Sequence, residues 1–238
     1  MNIKRYIATI ILAIVLLLNF SCTDWLDVKP VDRMSEDQLY STEAGFRQAL
    51  NGIYVELNHA DLYGDELLVN TVEILAQRYK FSSMGTLTNQ YHLAEFDYTT
   101  DYAKKCGSRI WEKAYALIAN VNKLLKNADS HKDLFTGDSY DLITGEAYAL
   151  RAFLHFDLLR LFGPVYKTHK EDKSICYNTQ FSLSGSDLLP ASKVMEYVIA
   201  DLKEAEDRLA KDPIIEEGPL LSDGATEEED FWRYRSLR

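Results

Sequence analysis

Apolar residues between positions 46 and 57 recur at helical spacing. The series, separated by four, three and four positions, is Phe46, Leu50, Ile53 and Leu57. This period matches the turn of an α-helix and predicts a helix with one buried face. Ser41 or Thr42 is expected to cap its N-terminus, because a hydroxyl at that position accepts a hydrogen bond from a free backbone amide.

A second face of this helix carries small residues, Gly45, Ala49 and Gly52. Glycine costs about 1 kcal/mol relative to alanine inside a helix. This face therefore predicts the close approach of another backbone.

The same spacing predicts five further helices. They span residues 65–79, 110–125, 139–162, 190–212 and a segment that begins near Thr226. The helix at 139–162 has the strongest pattern and is expected to end at Gly163-Pro164. Residues 22–40 and 81–102 show little periodicity and are expected to be extended or irregular. The predicted fold is all-α, a helical-repeat scaffold of antiparallel hairpins with long irregular connections, although its spacing is far from the 34-residue period of regular tetratricopeptide repeats.

The N-terminus has the three parts of an export signal. Lys4 and Arg5 precede an apolar run of about a dozen residues, Ile7 to Leu18, which is shorter than the roughly 20 residues that span a bilayer. Ser21 then precedes Cys22, as processing of a bacterial lipoprotein requires. We expect cleavage before Cys22 and acylation of its thiol and amine, since two or more acyl chains give stable membrane attachment.

The predicted organisation follows from these patterns. Residues 1–21 form a lipoprotein signal peptide, 22–40 an extended tether, and 41–238 a helical domain. The last predicted helix stops at Arg238 in the middle of its apolar pattern, so the domain is expected to be truncated at its C-terminal end.

Charge and cysteine content narrow the function. The formal net charge is −11, and a nucleic-acid partner is not expected because a polyanion requires a basic footprint. Besides Cys22 the chain has Cys106 and Cys176, which lack the spacing of a metal or redox motif. Whether these two cysteines pair is left open by the sequence, with two separate thiols the favoured interpretation.

Candidate catalytic chemistry is sparse. The five histidines lack metal-ligand spacing, and neither a nucleophile elbow, a P-loop nor a dinucleotide-binding motif is present. No cofactor or metal is expected, and His155 is predicted to be a hydrogen-bonded core or interface residue. Carboxylates are plentiful, but nothing selects a pair at the separation of about 5–10 Å that a glycosidase needs. The protein is expected not to be an enzyme.

The aromatic residues divide into two groups. Trp111, Tyr115 and the phenylalanines of 139–162 lie at helical spacing and are expected in the core. Aromatic residues between 79 and 102 fall where the pattern fails, and exposed rings suit stacking on sugars or gripping a peptide. The candidate ligand-binding residues are Tyr79, Tyr91, His92 and Tyr98, with packing inside a loop as the alternative for each of them.

Four segments together resemble the SusD/RagB family of outer-membrane lipoproteins. They are CTDWLDVKP at 22–30, AGFRQALNGIY at 44–54, the pattern Trp111, Tyr115, Ile118 and Asn122, and AYALRAFLHFDLLRLFGPV at 147–165. The helix at 194–209 also fits. The resemblance runs from Cys22 to the end of the chain and covers about the N-terminal half of a typical member.

The resemblance implies a fold of tetratricopeptide-like helical hairpins, in a non-catalytic lipoprotein on the outer face of the outer membrane. Such a protein captures glycans, either oligosaccharides or a starch-like polysaccharide, for a TonB-dependent transporter of the SusC type. Two alternatives remain open at this point: capture of peptides by the same architecture, and a helical adaptor with protein partners only.

Overall fold

The computed structural model describes residues 35–81, 88–182 and 186–217. Cys22 and the helix predicted near Thr226 lie outside these ranges. The α-helices, numbered here in chain order, are α1 (Glu36–Leu39), α2 (Glu43–Leu57), α3 (Thr71–Leu75), α4 (Thr88–Ala94), α5 (Asp101–Ser130), α6 (Ser139–Phe162), α7 (Tyr166–His169), α8 (Ala191–Leu209) and α9 (Pro213–Glu217).

Helix α2 forms where the apolar series predicts it. The hydroxyl of Thr42 accepts a hydrogen bond from the amide of Gly45 at 3.2 Å and so caps the helix. The small-residue face behaves differently at its two ends. A Cβ added to Gly45 would lie 1.6 Å from the carbonyl oxygen of Leu39, as close backbone approach requires, whereas one added to Gly52 would meet nothing within 4 Å.

The segment predicted to be extended as far as Tyr40 ends in a helical turn, so that prediction is wrong for α1. The carboxylate of Glu36 accepts a hydrogen bond from the ammonium of Lys123 on α5. The ring of Tyr40 is buried against that of Phe46, with 4.9 Å between their centroids. These contacts, one of them with a residue 87 positions away, hold a turn that local periodicity does not reveal.

The long helices pack as antiparallel pairs. Asn122 of α5 contacts Arg151 of α6, while Asp129 near the end of α5 contacts Tyr140 near the start of α6. Helices α6 and α8 are antiparallel in the same way, because Arg151 meets Asp201 and Gly145 packs against the end of α8. The prediction of an all-α fold built from helical hairpins is confirmed.

Two apolar clusters fill the space between these helices. One lies between α2, the second half of α5 and the first half of α6, and includes Phe46, Leu124 and Ile143. The other lies between the remaining halves of α5 and α6 and the inner face of α8, with Ile118 and Val198 among its members. Each half of the α5–α6 hairpin therefore has a partner on its other side.

The prediction of a helix over residues 65–79 is wrong for most of that segment. Only α3, five residues long, is helical there, and the rest forms successive turns. The carbonyl oxygen of Asp65 accepts bonds from three consecutive amides, at positions 68, 69 and 70, and its carboxylate accepts one from Asn70. Buried Glu66 is meanwhile paired with Arg109 of α5. These side-chain contacts compete with the regular backbone bonds of a helix.

The predicted boundaries around the irregular segment also shift. Helix α5 begins at Asp101 instead of Ile110, because Thr100 caps it by accepting from the amide of Ala103 at 3.3 Å. Ala103 and Cys106 continue its buried stripe toward the N-terminus. Helix α4 lies inside the segment that was expected to be irregular, and packs with α3 and α5 around Ile74 and Leu93.

Between α7 and α8 the chain forms a connection that we call the strap, residues 173–179. Lys173 forms an isolated antiparallel bridge with Pro190, and the side chains of Ile175 and Tyr177 are buried in the core. Cys106 is buried and Cys176 half-buried, and both are free thiols. Within the described ranges, the structure contains no helix that is long and apolar enough to cross a membrane.

Candidate functional site

Tyr79, the first sequence-predicted ligand residue, lies at the surface just after α3. Its hydroxyl donates a hydrogen bond to the carbonyl oxygen of Val69 at 2.8 Å. Its ring meets the edge of Phe81, with 6.0 Å between the ring centroids. The side chain of Tyr79 is therefore held by contacts of its hydroxyl and its ring, while part of the ring remains exposed.

Tyr91 and His92 lie on α4, and both are partly exposed. Their rings meet edge to face with 5.7 Å between the centroids. Nδ1 of His92 lies 3.6 Å from a carboxylate oxygen of Asp97, which orients the imidazole toward the turn that follows the helix. The position of α4 itself is fixed by Gln77, whose side-chain amide donates to the carbonyl oxygen of Ala94 at 2.7 Å.

Tyr98 is 57 % exposed and lies in the tight turn between α4 and α5. The turn contains Phe96, whose φ of 59° lies in the left-handed region that a bulky residue rarely adopts. The carboxylate of Asp97 accepts hydrogen bonds from the hydroxyl and the amide of Thr99, and these bonds lower the pKa of Asp97. The turn thus presents the two neighbouring rings, Phe96 and Tyr98, to solvent.

The structure brings the four candidates together only in part. Among the described residues of 79–102, ring contacts join Tyr91 to His92 and Tyr79 to Phe81. The segment therefore contains two separate ring pairs and the exposed turn of Phe96 and Tyr98. They do not form one continuous aromatic surface.

A concave surface that the sequence analysis missed lies between α2 and α6. It is a groove of about 810 Å³. Its lining includes Asn51, Tyr54, Val55 and Asn58 from the end of α2, Tyr63 from the following turn, and Phe153 from α6. The α2 residues lie three or four positions apart, so they share one helical face, which could have been recognised from their spacing. The exposure of these residues could not have been predicted, because the apolar series of α2 identifies only the buried side of the helix.

Two of the three phenylalanines of α6 depart from the expectation that they are core residues, whereas Phe162 packs against the core cluster as expected. Phe153 and Phe156 are 43 % and 36 % exposed, while the intervening Leu154 and His155 are buried. The apolar residues of α6 lie on more than one side of the helix, so their spacing predicts the helix but does not separate its buried from its exposed side.

A buried polar network ties the strap to two helices, α5 and α6. The backbone carbonyl oxygens of Cys176, Asn178 and Thr179 accept hydrogen bonds from the side chains of Tyr115, Asn122 and Arg151 respectively. These bonds satisfy backbone groups that lie in a segment without regular structure.

His155 is fully buried within this network, as the sequence analysis predicts for a hydrogen-bonded core residue. Nδ1 lies 2.8 Å from the carbonyl oxygen of Arg151 and must donate to it, whereas Nε2 accepts from the amide of Asn178 at 3.0 Å. The ring also stacks on Tyr177 with 3.9 Å between the centroids. Burial lowers the pKa of His155 to about 4, so its neutral form is the one the fold contains.

Comparison with known proteins places this architecture in a family. The model of the SusD-like family described as "Starch-binding associating with outer membrane" matches residues 24–217. SusD-like protein P2 from Formosa agariphila is 27 % identical over 208 residues, which cover 87 % of this chain and 38 % of the relative. SusD-like protein P25 from the same organism is 27 % identical over 148 residues. The chain thus spans well under half the length of the first of these relatives.

Solved structures show the same fold. A SusD-like carbohydrate binding protein from Bacteroides vulgatus superposes with a TM-score of 0.60 at 20 % identity, over 80 % of this chain and 39 % of its own. A SusD superfamily protein from Bacteroides fragilis gives a TM-score of 0.58 at 18 % identity, over 69 % of this chain and 39 % of its own. With the family match over most of its length, the chain belongs to the SusD-like family.

Proposed function

We propose that this protein is a non-catalytic surface lipoprotein that captures glycans for a TonB-dependent transporter of the SusC type. The observation that carries the proposal is the family match over residues 24–217, since that family is described as starch-binding and associated with the outer membrane. The ligand is proposed to be an oligosaccharide or a starch-like polysaccharide.

The proposed attachment is through lipid on Cys22, and the helical part is proposed to face the exterior. The export-signal pattern at residues 1–21 and Ser21 next to Cys22 support this step. One acyl chain binds a membrane only reversibly, so stable display requires the two or more that a lipoprotein cysteine carries.

Contacts to the glycan are proposed to come from Tyr79, Tyr91, His92 and Tyr98. The rings of Tyr79 and Tyr98 are exposed, and those of Tyr91 and His92 are partly so. Aromatic faces pack against the C–H groups of sugar rings, and hydroxyl and imidazole groups supply hydrogen bonds at their edges. Because the side chains of Tyr79 and His92 are already held by Val69 and Asp97, little conformational entropy is lost when a ligand binds.

Glycan titration of the full chain, purified in detergent, tests the proposal. The panel consists of maltoheptaose, soluble starch, a β-glucan and a tryptic peptide digest. We expect saturable heat release in isothermal calorimetry with at least one of the glycans, and an affinity about tenfold lower for Tyr98→Ala. Tyr166→Ala, which removes an exposed tyrosine from α7, is the matched control and should retain wild-type affinity.

The same material distinguishes the proposal from its alternatives. Binding of the peptide digest with no binding of any glycan would assign the protein to peptide capture. An increase in reducing sugar ends during incubation with the bound glycan would contradict a non-catalytic role. Co-purification from solubilised outer membranes, followed by mass spectrometry, should recover a TonB-dependent receptor, and recovery of other proteins alone would favour the adaptor role.

A further inference from the structure

The groove between α2 and α6 has the size and composition of a ligand site. Its volume of about 810 Å³ falls within the range of roughly 300–1,000 Å³ that is typical of small-molecule pockets. Its walls are mainly aromatic and aliphatic, with Val55 and Phe153 both exposed to solvent.

The aromatic wall of the groove is held in place from behind. The hydroxyl of Tyr54 donates to Oε2 of Glu146 at 2.7 Å, and that of Tyr63 donates to Oδ2 of Asp157 at 2.7 Å. The ring of Tyr63 then stacks on Phe153, with 5.1 Å between centroids and 24° between the planes. The rings are therefore oriented before any ligand arrives.

The anchoring bond of Tyr63 persists near neutral pH. Burial, together with the nearby carboxylate of Asp157, raises the pKa of Tyr63, so its phenol remains protonated and continues to donate. The rim adds a polar group, the exposed side-chain amide of Asn58 where α2 ends.

We propose that this groove is a second glycan-binding site, separate from the aromatic residues of 79–102. The inference rests on the proposed function, since it assigns an additional contact surface for the same class of ligand. Rigid aromatic rings match the C–H faces of sugar rings, and the amide of Asn58 at the rim can both donate to and accept from sugar hydroxyls. A polysaccharide offers many copies of one unit, so two sites on one protein raise the overall affinity by multivalency.

Two substitutions remove or fill the groove without touching the candidate residues of 79–102. Phe153→Ala deletes the stacked ring, and Val55→Trp places a large side chain where Val55 is 70 % exposed and open to solvent. Each should lower the affinity for soluble starch by about tenfold in calorimetry. Melting followed by circular dichroism confirms that each variant is folded.

Phe156→Ala is the matched control. Phe156 lies on the same helix at similar exposure, with its ring beside the guanidinium of Arg160, and it does not line the groove. It should leave glycan affinity at the wild-type value. A loss as large as that of Phe153→Ala would overturn the assignment, because the effect would then not depend on the groove.

The outcomes separate this inference from the proposed function. If wild type binds a glycan and both groove variants bind it equally well, the second site is refuted and glycan capture stands. If the groove variants lose affinity for the peptide digest alone, the groove binds polypeptide and the inference is wrong. If wild type binds no glycan of the panel, both proposals fail together.

Discussion

The guanidinium group of Arg151 lies edge-on against the carboxylate of Asp201, with Nε 2.7 Å from Oδ2 and Nη2 2.8 Å from Oδ1. Both side chains are almost completely buried. The third guanidinium nitrogen, Nη1, donates to the side chain of Asn122 at 2.9 Å, and Tyr177 donates to the carboxylate at 2.6 Å. One charge pair therefore connects α5, α6, α8 and the strap.

Asp201→Ala should destabilise the protein by about 3–5 kcal/mol, because it leaves the Arg151 guanidinium buried without its counter-charge. The hydroxyl of Tyr177 loses its acceptor in the same step. Urea unfolding followed by circular dichroism measures the loss as a change in the free energy of unfolding.

An ion pair whose arginine is exposed, on the same helix, is the control for this prediction. Arg160 is 67 % exposed and pairs with Asp157 at 2.9 Å. Arg160→Ala should change the free energy of unfolding by less than about 1 kcal/mol. Equal effects of the two substitutions would mean that burial of the Arg151 pair does not determine its contribution.

The protein should lose stability as the pH falls from about 6.5 to about 4 through His155. Its folded pKa is lowered to about 4, so in this window the unfolded state binds more protons than the folded state. The stabilisation is complete above the unfolded pKa and amounts to about 3 kcal/mol. Protonation would also place an N–H against the amide of Asn178, which now donates to Nε2.

Free energies of unfolding measured at several pH values test this assignment. His155→Gln should show a shallower loss of stability between pH 6.5 and 4 than wild type does, by up to about 1.4 kcal/mol per pH unit. His169→Gln, which removes an exposed histidine, should keep the wild-type slope. A slope in His155→Gln equal to that of wild type would assign the acid sensitivity to other groups.

Helix α6 shows how much of the fold is determined locally. The spacing of its apolar residues and the Gly163-Pro164 pair predict the segment 139–162, and the helix spans Ser139–Phe162. The segment 65–79 also has helical spacing, but the prediction of a helix there is wrong over most of its length. There, Asp65 and the buried Glu66 form contacts with neighbouring turns and with Arg109, which no local pattern contains.

The groove could not be predicted for a related reason. Phe153 and Leu154 are adjacent and equally apolar, yet one is exposed and the other buried. The difference depends on where α2 and the following turn pack, which is a relationship between residues about 90 positions apart. Sequence reasoning identified exposed rings only where regular structure was expected to fail.

Lipidation of Cys22 makes a separate prediction. Cells grown with an alkyne analogue of palmitate should label the wild-type protein, and Cys22→Ala should abolish the label and release the protein from the membrane fraction. Cys176→Ala, which removes a half-buried free thiol, is the control and should leave labelling unchanged. A labelled, membrane-bound Cys22→Ala protein would refute the anchor.

Two glycines of the helices should respond to alanine in opposite directions. A Cβ on Gly52 meets nothing within 4 Å, so Gly52→Ala should stabilise the protein by up to about 1 kcal/mol through the higher helix propensity of alanine. A Cβ on Gly145 would lie 2.8 Å from Cγ of Leu209, so Gly145→Ala should force α6 and α8 apart and cost about 1–3 kcal/mol. Urea unfolding of the two variants provides the comparison, each serving as the other's control. Destabilisation by Gly52→Ala would show that another backbone does approach that face of α2, as the sequence pattern alone predicts.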